Sequence, residues 1–235
     1  FSYAGGYTFF GGYDATLTQC SQNPSIGGAA FTYRTINSTS TRGSNVAYGA
    51  GTYCCALNGG VINAYTTTPG GAWTVGTAMP TSGDWGMVAF GNSVFTFFRK
   101  SSAVGATSAN GQTWTTRASG FPSLAYPQCV FGNGVFVACA YKAVITSVYT
   151  STDGYTWTTR TIPSRNAGTL MFGSGAFVMS SNDTTSPILV STDGINWTGI
   201  LPPVPGLNTA NGCFHPTKGE FLFFGTGATT TMSFI

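Results

Sequence analysis

The residue types that carry acid–base chemistry are scarce in this chain. Of its 235 residues, six are Asp or Glu, nine are Lys or Arg, and one is His. Glycoside hydrolysis needs two carboxyl groups flanking the bond that breaks. Two carboxylates belong to a repeated turn motif, and the other four are scattered through the chain: Asp14, Asp84, Asp183 and Glu220. This distribution predicts a protein that is not an enzyme.

Nucleophilic and metal chemistry are limited in the same way. A Ser-His-Asp triad would have to use His215, which lies beside Pro216 in an irregular turn and is interpreted as a solvent-facing residue. One His with scattered carboxylates is a poor set for a transition metal, so we expect no metal and no cofactor. No Cys-x-x-Cys spacing occurs, and buried free thiols are favoured over disulfides for the six cysteines: Cys20, Cys54, Cys55, Cys129, Cys139 and Cys213.

Charge and hydropathy exclude two further classes of partner. Only 6% of the residues are charged, the net charge is +3, and Arg99-Lys100 is the only adjacent basic pair. A nucleic-acid footprint needs clustered Lys and Arg, so none is predicted. Apolar segments such as Val135–Tyr141 have the length of a strand rather than of a membrane helix, and no membrane insertion is expected.

Two motifs recur in phase along the chain. An aromatic residue before a Gly-rich turn recurs every 41 or 42 residues, at Tyr48, Phe90, Phe131, Phe172 and Phe214. The second motif is Ser-Thr-Asp-Gly-x-x-Trp at 151–157 and 191–197, with looser copies at 108–114, 67–73 and 25–31. Repeat units therefore begin near residues 1, 44, 86, 127, 168 and 209, and the sixth unit stops before its own copy of the second motif.

Each unit is predicted to contain four strands. In the third unit, alternating and β-branched residues punctuated by Gly and Asn place them at Gly86–Phe90, Val94–Arg99, Val104–Ser108 and Thr113–Arg117. A four-stranded repeat of this length is typical of a β-propeller blade. We therefore expect an all-β chain in which residues 1–235 form one propeller domain. It should have six blades, the last incomplete in this chain, and the motif Trp should pack between blades.

The second motif resembles the Asp-box, or bacterial-neuraminidase repeat, of sialidase-like propellers, although it is one residue shorter. Tandem units that pair it with Phe-Gly-x-Gly-x-Phe look like those of bacteriophage tail and fibre proteins and of bacterial surface propellers. In that family the box is structural, which implies that Asp153 and Asp193 accept backbone N–H bonds within their own turns. The box joins the third and fourth strands, on the face opposite the usual ligand face.

The resemblance also defines what a sialidase-like site would require: an arginine cluster, a Tyr/Glu nucleophile pair and an acid. Three of the six arginines share one repeat position, three residues after the box aromatic, and are predicted to form a structural stripe on the outer strands: Arg34, Arg117 and Arg160. Only Arg42, Arg99 and Arg165 remain for a site. The catalytic set is therefore incomplete.

Departures from the repeat indicate where a ligand could bind. Trp85 and Tyr126 stand at matching positions on one rim, where they either stack on sugar rings or cover blade junctions. The loops between second and third strands lie on the same face, where their side chains either offer hydrogen-bond donors and acceptors to a ligand or are ordinary solvated loop tips: Arg99, Lys100, Tyr141, Lys142 and Asp183. The candidate ligand-binding set is Trp85, Tyr126, Arg99, Lys142, Asp183 and Arg165.

Together, the boxes, the low charge and the missing catalytic set favour a non-enzymatic virion appendage or tail-fibre domain. Its expected partners are a host-cell surface glycan or receptor and other virion proteins, and its expected location is the virion surface or the extracellular space. Three alternatives remain open: a secreted lectin-like propeller, a degenerate sialidase-like glycoside hydrolase, and a scaffold that docks protein partners.

Overall fold

The structure is a computed structural model that describes residues 2–4, 7–11, 18–23, 32–36, 42–58, 63–68, 71–77, 79, 83–201, 208–216, 218–226 and 232–234. Every regular element in these ranges is a β-strand, and every strand pairing is antiparallel. No helix in the described ranges is long and apolar enough to cross a lipid bilayer.

The strands form meandering sheets in chain order. The first three sheets have four strands each: β1 (Ser2–Ala4), β2 (Tyr7–Gly11), β3 (Thr18–Asn23) and β4 (Thr32–Ile36); β5 (Arg42–Gly49), β6 (Thr52–Asn58), β7 (Asn63–Thr66) and β8 (Thr74–Val75); β9 (Trp85–Gly91), β10 (Val94–Arg99), β11 (Gly105–Ser108) and β12 (Thr115–Arg117). The third sheet reproduces the four strands predicted for the third unit to within two residues at each end.

The fourth and fifth sheets share one long strand. Their strands are β13 (Pro127–Gly132), β14 (Val135–Ala140), β15 (Val144–Ser151), β16 (Thr158–Gly173), β17 (Ala176–Ser181), β18 (Ile188–Ser191) and β19 (Thr198–Ile200). The last described sheet has three strands, β20 (Asn208–His215), β21 (Glu220–Thr226) and β22 (Met232–Phe234). The first half of β16 pairs with β15 and the second half with β17. Pro163 falls where the β15–β16 register shifts, a position at which a strand tolerates a residue without an N–H.

The chain divides into two compact units. Unit 1 comprises Phe1–Leu124 with Gly154–Thr156, and unit 2 comprises Ala125–Asp153 with Trp157–Ile235. The prediction that residues 1–235 form one domain stays a prediction.

The first motif is the hairpin between the first two strands of a sheet. Asn133 and Gly134 both have positive φ (46° and 79°), as do Ser174 and Gly175 (45° and 76°). Two residues of this kind make the tight turn whose twist matches that of the flanking strands. The glycine before the turn has a different role, because a Cβ atom on Gly173 would come within 2.5 Å of Cδ1 of Phe214 in the next sheet.

Each unit has its core between successive sheets. In unit 1, Ala47 and Cys54 of the second sheet pack with Phe95 and Phe97 of the third, and Trp114 closes this cluster. In unit 2, residues of the fourth and fifth sheets form a second cluster, against which Trp197 packs. These contacts confirm that the motif Trp packs between neighbouring sheets.

The cysteine prediction is confirmed for five of the six cysteines, while the side chain of Cys20 lies outside the described residues. Cys54, Cys55, Cys129 and Cys139 are free and buried, and Cys213 is free and half-buried. Burial raises the pKa of Cys54 and of Cys139 to about 12, so both stay protonated thiols at neutral pH.

Candidate functional site

The Ser-x-Asp-Gly turn is a self-contained hydrogen-bonded unit. In the copy at Ser191, the Asp193 carboxylate accepts the N–H groups of Ile195 and Asn196, both at 2.8 Å. The Asn196 N–H and Ile195 N–H bonds lower the pKa of Asp193 and outweigh its partial burial. The predicted structural role of Asp193 is therefore confirmed, and its lone pairs are used within its own turn.

The glycine of this turn is required by a close approach as well as by its φ. Gly194 has a φ of 73°, and its Cα packs so closely on Val137 of the preceding sheet that a Cβ atom would overlap that side chain. In unit 1, Gly111 has a φ of 72° and lies against Phe95 and Thr52. In both turns the glycine therefore packs against the preceding sheet of its own unit, on Val137 in one case and on Thr52 in the other.

The outer-strand arginines also have structural partners. The Nε atoms of Arg117 and Arg160 each donate to the hydroxyl of the threonine before the box serine, Thr107 and Thr150, at 3.0 Å. The Arg117 guanidinium also lies 4.3 Å from the ring centroid of Tyr155. These bonds confirm a structural role for Arg117 and for Arg160, each within its own sheet. The side chain of Arg34, the side chain of Arg42 and all of Asp14 lie outside the described residues.

Unit 2 presents a group of polar and aromatic side chains that we call the tyrosine rim: Tyr126, Tyr141, Lys142 and Asn211. Tyr126 is 55% exposed, and its carbonyl accepts the Tyr141 N–H at 2.8 Å. The Tyr141 hydroxyl donates to Oδ1 of Asn211 at 2.8 Å. The Lys142 ammonium lies 5.1 Å from the Tyr141 ring centroid, a cation–π distance.

Two hydrogen bonds, one between backbone groups and one between side chains, connect the tyrosine rim to neighbouring sheets. Lys142 adopts a φ of 51°, and its N–H donates to the Ala167 carbonyl of β16 at 2.9 Å. The Tyr141–Asn211 bond links a loop of the fourth sheet to the first strand of the sixth. A non-glycine residue in the left-handed region is uncommon, and here the backbone bond fixes it. The rim therefore combines an accessible aromatic ring with donors in fixed positions.

Arg165 supports the neighbouring loop from inside. Its side chain is buried, and Nη2 donates to the carbonyls of Pro187 at 2.7 Å and Ser180 at 3.1 Å, while its buried Nε has no hydrogen-bond partner in the structure. Burial lowers the pKa of Arg165 to about 10, and the nearby charge of Asp183 opposes that shift. Arg165 therefore braces the loop rather than facing a ligand.

Asp183 caps the same loop. Its carboxylate accepts the N–H groups of Ser186 at 2.6 Å and Thr185 at 2.9 Å, and both hydroxyls as well. Burial opposes ionisation, but these bonds outweigh it and lower the pKa of Asp183 to about 2. Asp183 is ionised at neutral pH, with its oxygens occupied by the loop that it closes.

Two predicted site residues lie in unit 1, and one of them needs correction. Trp85 is 0% exposed and packs edge-on against Phe97, with 6.0 Å between the ring centroids. It therefore offers no open face to a sugar ring. The alternative interpretation, that it covers the junction between sheets, is the one its contacts support. Arg99 pairs with Trp85 across β9 and β10, and its half-buried guanidinium packs over Gly83.

The four other predicted residues, Tyr126, Lys142, Arg165 and Asp183, all lie in unit 2. The sequence pattern placed Tyr141 on the same face but not in the ligand-binding set, and it did not indicate Asn211. Asn211 stands three residues before its motif aromatic, a position that is also amide-bearing at Asn45 and Gln128. That recurrence is the signal that could have singled it out.

His215, the one histidine of the chain, bonds within its own turn. The His215 ring accepts the Lys218 N–H of its own turn at 3.2 Å. Among the described residues, no three His, Cys, Asp or Glu side chains converge as metal ligands.

Comparison with known proteins identifies the family of this all-β fold. The model of the DUF6242 beta propeller domain matches residues 73–230, more than half of the chain. The chain belongs to this family. The all-β propeller fold predicted from the repeats is therefore confirmed, with the described sheets as its blades. The family assignment does not extend to sialidase-type Asp-box repeats.

Solved structures agree on the fold. The streptogramin B lyase structure is similar to this propeller with a TM-score of 0.74 and 12% identity, covering 97% of this chain and 78% of the lyase. YCF48 bound to D1 peptide is similar with a TM-score of 0.65 and 15% identity, over 97% and 81% of the two chains. The GH74 enzyme of Niastella koreensis matches with a TM-score of 0.63 and 16% identity, over 97% of this chain. The propeller spans about a third (36%) of that enzyme's length. No curated protein sequence matches the chain.

Proposed function

We propose that this propeller is a non-enzymatic binding module whose tyrosine rim binds a glycan on a host-cell surface. The carrying observation is that Tyr126, an exposed aromatic residue, bonds through its carbonyl to the Tyr141 N–H. The Tyr141 hydroxyl is held by Asn211, and the Lys142 ammonium lies over the Tyr141 ring. Aromatic faces stack on sugar rings, and a few fixed polar groups provide orientation.

Occupied carboxylates support a binding role over a hydrolytic one. The pKa values of Asp183 and Asp193 are both lowered, because each carboxylate accepts several hydrogen bonds from its own loop. A general acid for glycoside hydrolysis needs a raised pKa, which is the opposite shift. The alternative of a degenerate sialidase-like hydrolase is therefore less favoured than a lectin-like module.

The low charge and the tandem Asp-box-like turns support display on a bacteriophage tail fibre or another virion appendage, with other virion proteins as neighbours. A secreted lectin-like propeller is the alternative location for the same binding activity. Proteomics of purified virions and of culture supernatant, with peptides of this chain as markers, separates the two. Recovery from the supernatant alone contradicts the virion assignment and leaves the glycan proposal standing.

The binding test compares variants of the whole chain on an array of bacterial surface polysaccharides. We expect Tyr126→Ala and Lys142→Ala to lose most of the binding. Tyr155→Ala is the matched control, because Tyr155 is also a partly exposed tyrosine (39%) but lies in a box turn. No binding by the wild-type chain at millimolar glycan, or equal loss in the Tyr155 variant, would contradict the proposal.

Docking of a protein partner is the second candidate, and one observation favours it. Val144, two residues from Lys142, is 74% exposed, which suits an apolar contact. YCF48, a structural neighbour, has been solved with a peptide bound. Envelope fractions treated with periodate lose glycan ligands, whereas protease-treated fractions lose protein ligands. If binding is lost only after protease treatment, the second candidate is favoured. The substitution Val144→Ser should then weaken binding strongly.

A further inference from the structure

Asn110 takes the place of the box aspartate in the third sheet. Its Oδ1 atom accepts the N–H groups of Gln112 at 2.9 Å and Thr113 at 3.0 Å, and the hydroxyls of Ser108 at 3.0 Å and Thr113 at 3.2 Å. Asp193 accepts the corresponding bonds in the fifth sheet through a carboxylate oxygen. The turn around Asn110 therefore already holds the donor set of a carboxylate.

The next residue is glycine, and Ser108 connects its N–H to the Asn110 amide. The Gly111 N–H donates to the Ser108 Oγ atom at 2.8 Å, and the same hydroxyl donates to Oδ1 of Asn110 at 3.0 Å. This chain of two hydrogen bonds can take a proton from the Gly111 nitrogen and deliver one to the amide oxygen. Four donors on Oδ1 also polarise the amide carbon toward attack.

We propose that Asn110 is a site of spontaneous deamidation that converts this turn into the aspartate form. The Gly111 nitrogen attacks Cγ of Asn110, its proton passes to Ser108, and the Ser108 hydroxyl proton passes to Oδ1. The tetrahedral intermediate loses ammonia and leaves a five-membered succinimide. Water then attacks Cγ, the Cγ–N bond breaks and the Gly111 nitrogen regains a proton, so the unbroken peptide bond is left with aspartate at position 110.

The folded turn favours this product over isoaspartate. Asn110 is exposed, so water reaches the ring. Only the α-linked aspartate keeps the backbone length that the bonds from Gln112 and Thr113 require. The isomer would insert a methylene into a turn whose glycine lies against Phe95 and Thr52. The modification thus gives the third sheet the carboxylate found in the turns at Asp153 and Asp193.

The chain contains an internal comparison at Asn133-Gly134. There the Asn133 amide nitrogen donates to the carbonyls of Gly175 and Thr192, both at 2.8 Å, so the leaving group is held in place. We expect Asn110 to convert at least about tenfold faster than Asn133, since positioned proton transfer is worth about 10²–10⁴-fold in catalytic sites.

The test incubates the whole folded chain in mildly alkaline buffer and follows the peptides containing Asn110 and Asn133 by mass spectrometry that separates aspartate from isoaspartate. We expect α-linked aspartate to accumulate at position 110, Ser108→Ala to slow it about tenfold or more, and Ser108→Thr to retain it. An unchanged or faster rate in Ser108→Ala overturns the proposed relay. Equal rates at Asn110 and Asn133, or mostly isoaspartate at 110, overturn the proposal.

Discussion

Replacing Gly173 by alanine tests whether the motif glycine exists to admit the aromatic ring of the next sheet. The new Cβ atom would come within 2.5 Å of Cδ1 of Phe214. Carbon atoms in contact normally lie about 3.5–4.0 Å apart, so the ring has to move by about 1 Å or more. The ring centroids of Phe214 and Phe221 lie 5.0 Å apart, and this packing contact resists the movement of the Phe214 ring.

The size of the effect follows from two opposing contributions. Forcing an extra methyl group into a packed core costs about 1–3 kcal/mol. Replacing glycine by alanine recovers about 0.4–1 kcal/mol by restricting the unfolded chain. A net loss of about 1–2 kcal/mol is expected, which lowers the Tm by roughly 2–8 °C for a chain of this size.

Thermal and urea unfolding followed by tryptophan fluorescence measure this loss. The matched control is Gly175→Asn in the same hairpin, where nothing lies within 4 Å of a Cβ atom and the φ of 76° is one that asparagine tolerates. We expect the control to change stability by less than about 0.5 kcal/mol.

A double-mutant cycle with Phe214→Leu decides the cause. If the ring is the obstacle, shortening it relieves the clash, and the double variant is more stable than the sum of the single effects by about 1 kcal/mol or more. Single effects that add within about 0.5 kcal/mol would refute the steric explanation.

Two further predictions concern the polar groups that join and cap the sheets of unit 2. Gln128 donates to the Gly168 carbonyl at 2.8 Å and accepts the Leu170 N–H at 3.0 Å, so Gln128→Met should cost about 1–3 kcal/mol in urea unfolding by leaving both backbone groups unpaired. Gln128→Glu keeps an oxygen that accepts the Leu170 N–H, so it should lower the free energy of unfolding by less than Gln128→Met does. A larger loss in Gln128→Glu would contradict this reasoning. The pKa of Asp183, lowered to about 2, means that its stabilising contribution is present above about pH 4 and disappears as the pH falls toward 2. Unfolding free energies should therefore fall less steeply over this range in Asp183→Asn than in the wild type, and equal slopes would show that Asp183 does not contribute.

The strands and turns were predictable because their signals are local. Positive φ at paired turn residues and alternation along a strand depend on neighbours within a few residues. The third sheet accordingly matched its four predicted strands. The role of Asp193 was predictable for the same reason, since the groups that donate to its carboxylate, on Ser191, Ile195 and Asn196, lie within three residues along the chain.

The candidate site was less predictable because exposure depends on residues far apart in the chain. Trp85 and Tyr126 stand at equivalent repeat positions, yet Trp85 is 0% exposed and Tyr126 is 55% exposed. The difference arises from what packs around each ring, such as Phe97 against Trp85. Likewise, no local pattern shows that the Tyr141 hydroxyl reaches Asn211, 70 residues away.

The limits of the long strand β16 also depend on pairing with strands on either side of it. The repeat unit predicted to begin near residue 168 starts inside this strand, and only pairing with both β15 and β17 makes Thr158–Gly173 one strand. The amino-acid sequence alone determined the repeat, the strands and the box turns, since these depend on periodicity and local hydrogen bonding. The tertiary structure decided which rim residues are buried, which carboxylates are occupied and which side chains meet, because packing between sheets joins positions about forty to seventy residues apart.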